Sequence, residues 1–122
     1  MANKHKLLLV DDEDPLRTLV KHELESQGFD VDEADSGAAA IEKMGSNKFD
    51  LVVLDIRMPE MDGLEVLRNI RENNLAGKVI MLTGVDELKI ARDSLQLGAN
   101  DFMTKPFDFK NLLACIHRVL KE

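Results

Sequence analysis

Four short stretches of this chain carry side chains suited to holding and transferring charged groups. They are the acidic run Asp11-Asp12-Glu13-Asp14, the isolated Asp55, the pair Thr83-Gly84 and the pair Lys105-Pro106. Each alone has a plainer meaning: a solvated turn with a helix cap, a turn aspartate, a strand-end turn, a loop. Together they would do more. Three aspartates within about 4–5 Å of one another repel by roughly 3–4 kcal/mol per pair at an effective dielectric near 20. A fold keeps such an arrangement when a cation offsets it or when function demands it. Oxygen-only ligands select a hard ion, and few carboxylates with positions left for water and phosphate suit Mg2+ better than Ca2+. The sequence has neither the EF-hand spacing nor a His/Cys grouping for zinc. A metal held by carboxylates beside a hydroxyl and an ammonium group describes a phosphoryl site. The metal and Lys105 would offset charge on the equatorial oxygens, and Thr83 would donate a hydrogen bond.

Those residues meet only if the chain brings them to one rim, and its hydrophobic pattern says how. Five short apolar runs, Lys6–Val10, Phe29–Ala34, Leu51–Leu54, Lys78–Leu82 and Asp101–Thr104, alternate with five amphipathic stretches. The first, third and fourth runs have continuously apolar cores, as strands covered on both faces do. The second and fifth carry polar residues at intervals and suit sheet edges. Between the runs, Asp14-Pro15 reads as an N-cap before a proline, followed by a stripe of Leu16, Leu19, Val20 and Leu24 and a stop at Gly28. Ser36 precedes a second helix that Gly45 would end. Asp62 and Glu65 have capping-box spacing ahead of Leu64, Leu67 and Ile70. Asp86 would cap a helix bearing Leu88, Ala91 and Leu95, and Asp108 one bearing Leu112, Leu113, Ile116 and Leu120. Alternating strands and helices imply right-handed crossovers and an α/β fold, a doubly wound five-stranded parallel sheet of (βα)5 type in the order 2-1-3-4-5. Ligands in such sheets bind outside the carboxyl ends of the strands. There the first strand delivers Asp11 and Asp12, the third Asp55, the fourth Thr83-Gly84 and the fifth Lys105-Pro106.

Composition bounds the rest. The 122 residues make one domain, 1–122, large enough to fold without disulfides or a structural metal. With 16 Lys+Arg against 23 Asp+Glu the net charge is −7, which argues against a domain held on nucleic acid or anionic lipid by its overall charge. No apolar run approaches the roughly 18 residues that cross a bilayer. The N-terminal Met1-Ala2-Asn3-Lys4-His5-Lys6 leads into too short an apolar run for a signal peptide. Cys115 is the single cysteine, which fits a reducing compartment and hence the cytoplasm, and it reads as inert packing. His5, His22 and His117 are isolated, and Arg68, Arg71, Lys89 and Arg92 read as ordinary helix-face charges.

The pattern resembles the receiver domain of two-component response regulators over essentially the whole chain. The resemblance rests on four segments in order, each at a strand end: Leu7-Leu8-Leu9-Val10-Asp11-Asp12, Leu54-Asp55-Ile56-Arg57-Met58-Pro59-Glu60-Met61-Asp62-Gly63, Met81-Leu82-Thr83-Gly84, and Gly98-Ala99-Asn100-Asp101-Phe102-Met103-Thr104-Lys105-Pro106-Phe107. It implies a flavodoxin-like fold and a bacterial, cytoplasmic phosphoprotein. Asp55 would be the phosphoacceptor, taking phosphate from the phosphohistidine of a sensor histidine kinase or histidine phosphotransfer protein. Asp12 and Asp55 would bind Mg2+ directly, Asp11 through water, and the backbone carbonyl of Arg57 would complete the protein ligands. Ile56, Thr83, Gly84 and Lys105 would contact the phosphate, and the Lys105–Pro106 bond would be cis. Thr83 and Phe102 would be the switch residues, Phe102 keeping the ring of the tyrosine common there without its hydroxyl. Phosphorylation would repack the fourth helix, fifth strand and fifth helix, whose face would carry the output. Arg57 and Val85 lie where the family tunes water access to the acyl phosphate.

Two rival readings are weaker. Haloacid-dehalogenase-like phosphatases need a second aspartate two positions after the nucleophile as general acid, and Arg57 stands there. A phosphorylation-independent receiver-like interaction module would lack an aspartate, the threonine or the lysine, and none is missing. The expectation is therefore a phosphoacceptor switch that assists its own phosphorylation and dephosphorylation, not a turnover enzyme. The sequence stops at Glu122, directly after the fifth amphipathic stretch. Output would pass to a C-terminal effector domain or a separate target protein, with a phosphorylation-dependent homodimer as a further arrangement. This stretch itself would bind neither nucleic acid nor membrane.

Overall fold

A computed structural model describes residues 4–122. Met1–Asn3, the start of the segment tested above for a signal peptide, lie outside the described residues. The elements run β1 (Lys6–Val10), α1 (Asp14–Ser26), β2 (Asp30–Ala34), α2 (Gly37–Ser46), β3 (Phe49–Asp55), α3 (Gly63–Asn73), β4 (Ala76–Thr83), a 3-10 turn (Val85–Glu87), α4 (Leu88–Gln96), β5 (Asp101–Thr104) and α5 (Phe109–Leu120). All strand pairs are parallel and the order is β2-β1-β3-β4-β5, as the sequence pattern implies.

The sheet divides the interior into two apolar layers, because successive side chains of a strand point to opposite faces. On one face Leu8, Val10, Val52, Leu54, Val79 and Met81 pack against α2, α3 and α4. On the other, Leu7, Leu9, Leu51, Val53, Ile80 and Leu82 pack against α1 and α5. Cys115 lies in the second layer, its thiol pushed up to about 11 by burial and by Asp101, which suits inert packing.

Several element details depart from the sequence reading. β3 and β4 are longer than their apolar runs because Phe49 pairs with Ala76 and Asp55 with Leu82, so Asp55 and Thr83 close their strands instead of following them. β2 starts at Asp30, since the Phe29 amide is spent on the Leu24 carbonyl at the end of α1. Glu13, not Asp14, is the N-cap of α1 and makes no side-chain cap bond. Pro15 supplies the rigid start instead. Leu19 is 58% exposed, outside the stripe expected of it. α2 runs through Gly45 to a cap at Asn47. Asp86 sits inside the 3-10 turn and caps nothing, while Leu88 and Leu95 lie partly exposed and α4 turns Ala91 and Ser94 inward. Arg71 is not a free surface charge: its guanidinium donates to the carbonyls of Gly98 and Gly77 and to the Asn100 side chain. Ser36, Asp62 and Asp108 cap their helices as expected.

Candidate phosphoryl site

The carboxyl ends of β1, β3, β4 and β5 meet at one rim, and the four expected segments meet there with them. β1 hands over to Asp11, whose side chain is buried and whose carboxylate accepts from the Glu13 N–H at 2.9 Å. Arg17 braces that corner from α1, donating to the Asp11 carbonyl at 2.7 Å and to Glu33 on the neighbouring strand. Asp55 ends β3 at 5% exposure. Asp12 is exposed beside them, and one carboxylate oxygen from each of Asp11, Asp12 and Asp55 lies within 4.8 Å of the others.

Lys105 supplies the opposing charge. Its Nζ is 2.7 Å from Asp11 Oδ2, 3.0 Å from Glu13 Oε1 and 3.2 Å from Asp55 Oδ2. A cis peptide bond joins it to Pro106, as expected, and its backbone N–H donates to the Thr83 carbonyl at 2.6 Å. Burial pulls the Lys105 ammonium down, but the Asp11 hydrogen bond and the Asp55 charge outweigh it, and its pKa ends above the ordinary lysine value. Asp55 is pushed up from 3.8 to about 6, first by burial and then by the Asp11 charge, against the pull of Lys105. Its carboxylate thus sits inside a cationic contact yet is held above the usual carboxylate range.

Thr83 is fully buried at the end of β4. Its hydroxyl lies 3.1 Å from the Gly84 carbonyl and 3.4 Å from the Glu87 carbonyl, with one proton to give between them. Gly84 opens the loop, and its N–H donates to Glu87 Oε1 at 3.2 Å. Phe102 in β5 is half-buried and packs with the layer that includes Ala91 of α4.

Of the expected phosphate contacts, Thr83, Gly84 and Lys105 converge on this rim, but Ile56 does not offer a donor. Its N–H is bonded to the Leu82 carbonyl at 2.9 Å, the hydrogen bond that closes the β3–β4 pairing at Asp55, and its side chain is in the core. The next amide, that of Arg57, is the one turned to the Asp55 carboxylate. The Arg57 side chain crosses to the β4–α4 loop, with Nε 3.1 Å from Glu87 Oε2 and Nη2 3.6 Å from Asp86 Oδ2. α3 starts hard against the same corner: Gly63 N–H donates to the Ile56 carbonyl at 2.7 Å, and a Cβ on Gly63 would stand 2.4 Å from the Asp55 carbonyl oxygen.

Two residues with a place at this rim escaped the sequence reading as site residues. Glu13, one of the four acidic residues of the first run, is a Lys105 partner. Glu87 was not singled out, although its carboxylate is buried beside Thr83 and Gly84. An acidic residue four positions after the strand-end threonine is the only signal that could have marked it.

The clustered oxygens fit a hard divalent cation: every side-chain donor is a carboxylate, and Asp12 keeps its own exposed to solvent. Among the described residues no helix is long and apolar enough to cross a membrane.

Comparison with known proteins gives the family. A family model described as the response regulator receiver domain matches residues 7–117. The chain is 40% identical over 117 residues to the alkaline phosphatase synthesis transcriptional regulatory protein PhoP of Bacillus subtilis, which covers 96% of this chain and 49% of that protein. It is 38% identical to the chemotaxis protein CheY of the same organism, covering 95% of this chain and 98% of that one. It thus spans about half the length of the transcriptional regulator and nearly all of the chemotaxis protein. Among solved structures, a CheY-like response regulator receiver domain protein from Methanospirillum hungatei matches with a TM-score of 0.91 at 30% identity, covering 98% of this chain and 95% of that one.

Proposed function

The chain belongs to the response regulator receiver domains of two-component systems, and from that membership we propose that Asp55 accepts a phosphoryl group, with Mg2+, from a histidine kinase or histidine phosphotransfer protein. The observation that carries the reading is the Asp55 carboxylate itself, ending β3 at the rim, 3.2 Å from Lys105 Nζ and clustered with Asp11 and Asp12.

The chemistry follows from the charges. An Asp55 oxygen attacks phosphorus, the bond to the donor nitrogen breaks with its electron pair kept on that nitrogen, and the donor, protonated on its other ring nitrogen, leaves as neutral imidazole. Mg2+ would be held by Asp11, Asp12, Asp55 and the Arg57 carbonyl, and when bound would supply electrostatic stabilisation of the phosphoryl oxygens. Lys105 stays charged throughout and shields the carboxylate from the incoming anion. Thr83 turns its hydroxyl from the loop carbonyls to a phosphoryl oxygen, and Arg57 and Gly84 offer backbone N–H groups. The product adds negative charge and strong acceptors to one rim. Moving the Thr83 hydroxyl draws the β4–α4 loop, so α4, β5 and α5 respond as the output face, Phe102 filling the space behind Thr83.

This chain is then a cytoplasmic phosphoacceptor switch that assists its own phosphorylation and hydrolysis. Its output passes to an attached effector domain, to a separate target or through a phosphorylation-dependent homodimer. The transcriptional regulator of about twice this length supports the first route and the chemotaxis protein of equal length the second.

The deciding experiment is intact mass after incubation with a small-molecule phosphodonor, with and without Mg2+, beside Asp55→Asn. One Mg2+-dependent phosphoryl adduct, absent from the variant, is expected. No adduct in a protein that binds Mg2+ would overturn the reading in favour of a phosphorylation-independent interaction module.

A further inference from the structure

Among the described residues three carboxylates are buried: Asp11, Asp55 and Glu87. Lys105 answers for the first two. Glu87, 8% exposed in the 3-10 turn after β4, has no part in the chemistry above. Burying a carboxylate is costly unless donors surround it, so its partners explain its position. Oε1 accepts from the Gly84 N–H at 3.2 Å, and Oε2 accepts from Arg57 Nε at 3.1 Å. The Glu87 carbonyl lies 3.4 Å from the Thr83 hydroxyl. The fit is close: a Cβ on Gly84 would come within 3.2 Å of Oε1.

The Thr83 hydroxyl and the Gly84 N–H are the donors that β4 offers to a phosphoryl group on Asp55. In this structure the Glu87 carboxylate engages the Gly84 N–H, while the Thr83 hydroxyl lies nearer the Gly84 carbonyl, at 3.1 Å, than the Glu87 carbonyl, at 3.4 Å. We propose that the Glu87 carboxylate is an internal rival of the phosphoryl group, holding the Gly84 N–H until phosphorylation displaces it, with Arg57 fastening it in place. The inference rests on the reading of Asp55 as phosphoacceptor.

Displacement has a direct mechanical consequence. Glu87 is followed at once by Leu88, the first residue of α4, so a phosphoryl group that takes the Gly84 N–H expels the carboxylate of the residue on which α4 begins. The helix is thinly anchored, with only Ala91 and Ser94 buried, while Leu88, Ile90 and Leu95 are partly exposed. The rivalry therefore sets the free energy that phosphorylation must overcome, and Glu87 acts as a positioning residue for the switch.

Calorimetric titration with beryllofluoride and Mg2+, a phosphoryl mimic, tests this on the wild type and Glu87→Gln. The variant keeps the side-chain volume and loses the charge. It is expected to bind about five-fold or more tightly, the scale of ordinary coupling between sites. A purely structural Glu87 would lower the melting temperature without tightening binding, and equal or weaker binding by folded Glu87→Gln overturns the proposal. Arg57→Met gives an arm without ligand, at a side chain 72% exposed where folding is not threatened. There the Gly84 and Leu88 amides should exchange hydrogen several-fold faster than in the wild type, and unchanged exchange overturns the fastening role and with it the proposal. A wild type that binds no beryllofluoride removes the phosphoacceptor reading as well, whereas equal binding by both proteins removes only the role of Glu87.

Discussion

Asp55 carries a burden that becomes visible when pH is varied. Its folded value of about 6 lies above the unfolded 3.8, so between these values the native protein holds a proton that the unfolded chain has released. This group's contribution is most favourable below about pH 4 and is lost as pH rises through 6. Asp32, Glu33 and Asp101 act oppositely: Lys43, Arg17 and Arg118 lead the partners that draw them below the carboxylate range despite burial, so their stabilisation fades in acid. Metal-free protein should therefore lose stability from Asp55 as pH rises from about 4 through 6, and Asp55→Asn should flatten that descent. The variant should gain about 1–3 kcal/mol at pH 7 in urea titrations without metal. A variant less stable than wild type at pH 7 would refute the claim that the Asp55 charge is unfavourable there. Asp11, Asp12, Asp55, Thr83 and Lys105 were legible in the sequence because each stands at a strand end, a position fixed by the backbone. Glu13 and Glu87 were not, because their roles depend on side-chain reach. The Ile56 amide was misjudged because the ladder runs one residue past the apolar run.

At the scale of elements, the join between β3 and α3 is the tightest in the site. The helix begins so close to the strand that a side chain on Gly63 would press on the Asp55 carbonyl and the Ile56 Cα, both backbone atoms with no room to yield. Gly63→Ala should cost about 1–3 kcal/mol, as overpacked sites do, and should weaken Mg2+ binding by displacing the Arg57 carbonyl. Thermal melts with and without Mg2+ check both, and an unchanged melting temperature would refute the close approach. Strand identity and order were readable because continuous apolar runs mark strands buried on both faces. The rotational setting of α4 was not. Of the expected stripe of Leu88, Ala91 and Leu95 only Ala91 is inward; Ser94 takes the other inward place, and the turn at Val85–Glu87 spends a buried carboxylate on the loop. Small residues let that helix lie close to β4 and β5, an effect that hydropathy alone does not carry. In α1, likewise, Leu19 faces out beside Leu16, Phe107 and Phe109, where an apolar stripe is wider than the surface that covers it.

For the whole molecule, the sheet separates where phosphate would arrive, on the proposed function, from where its effect would be felt. By strand alternation Asp11 and Asp55 follow the residues facing α1 and α5, whereas Thr83 and Phe102 follow those facing α2, α3 and α4. Binding of beryllofluoride should accordingly perturb amide shifts along the β4–α4 loop, α4 and β5, and leave α2 and the β2 edge nearly still. Equal perturbation of α2 would contradict transmission through Thr83. The division has a wider meaning. Substitutions in the two apolar layers share few partners, so their energetic effects should largely add. Recognition on one flank and response on the other can then diverge by separate sets of changes, and the same partition lets one flank be re-engineered for a new upstream signal while the other keeps its downstream habit.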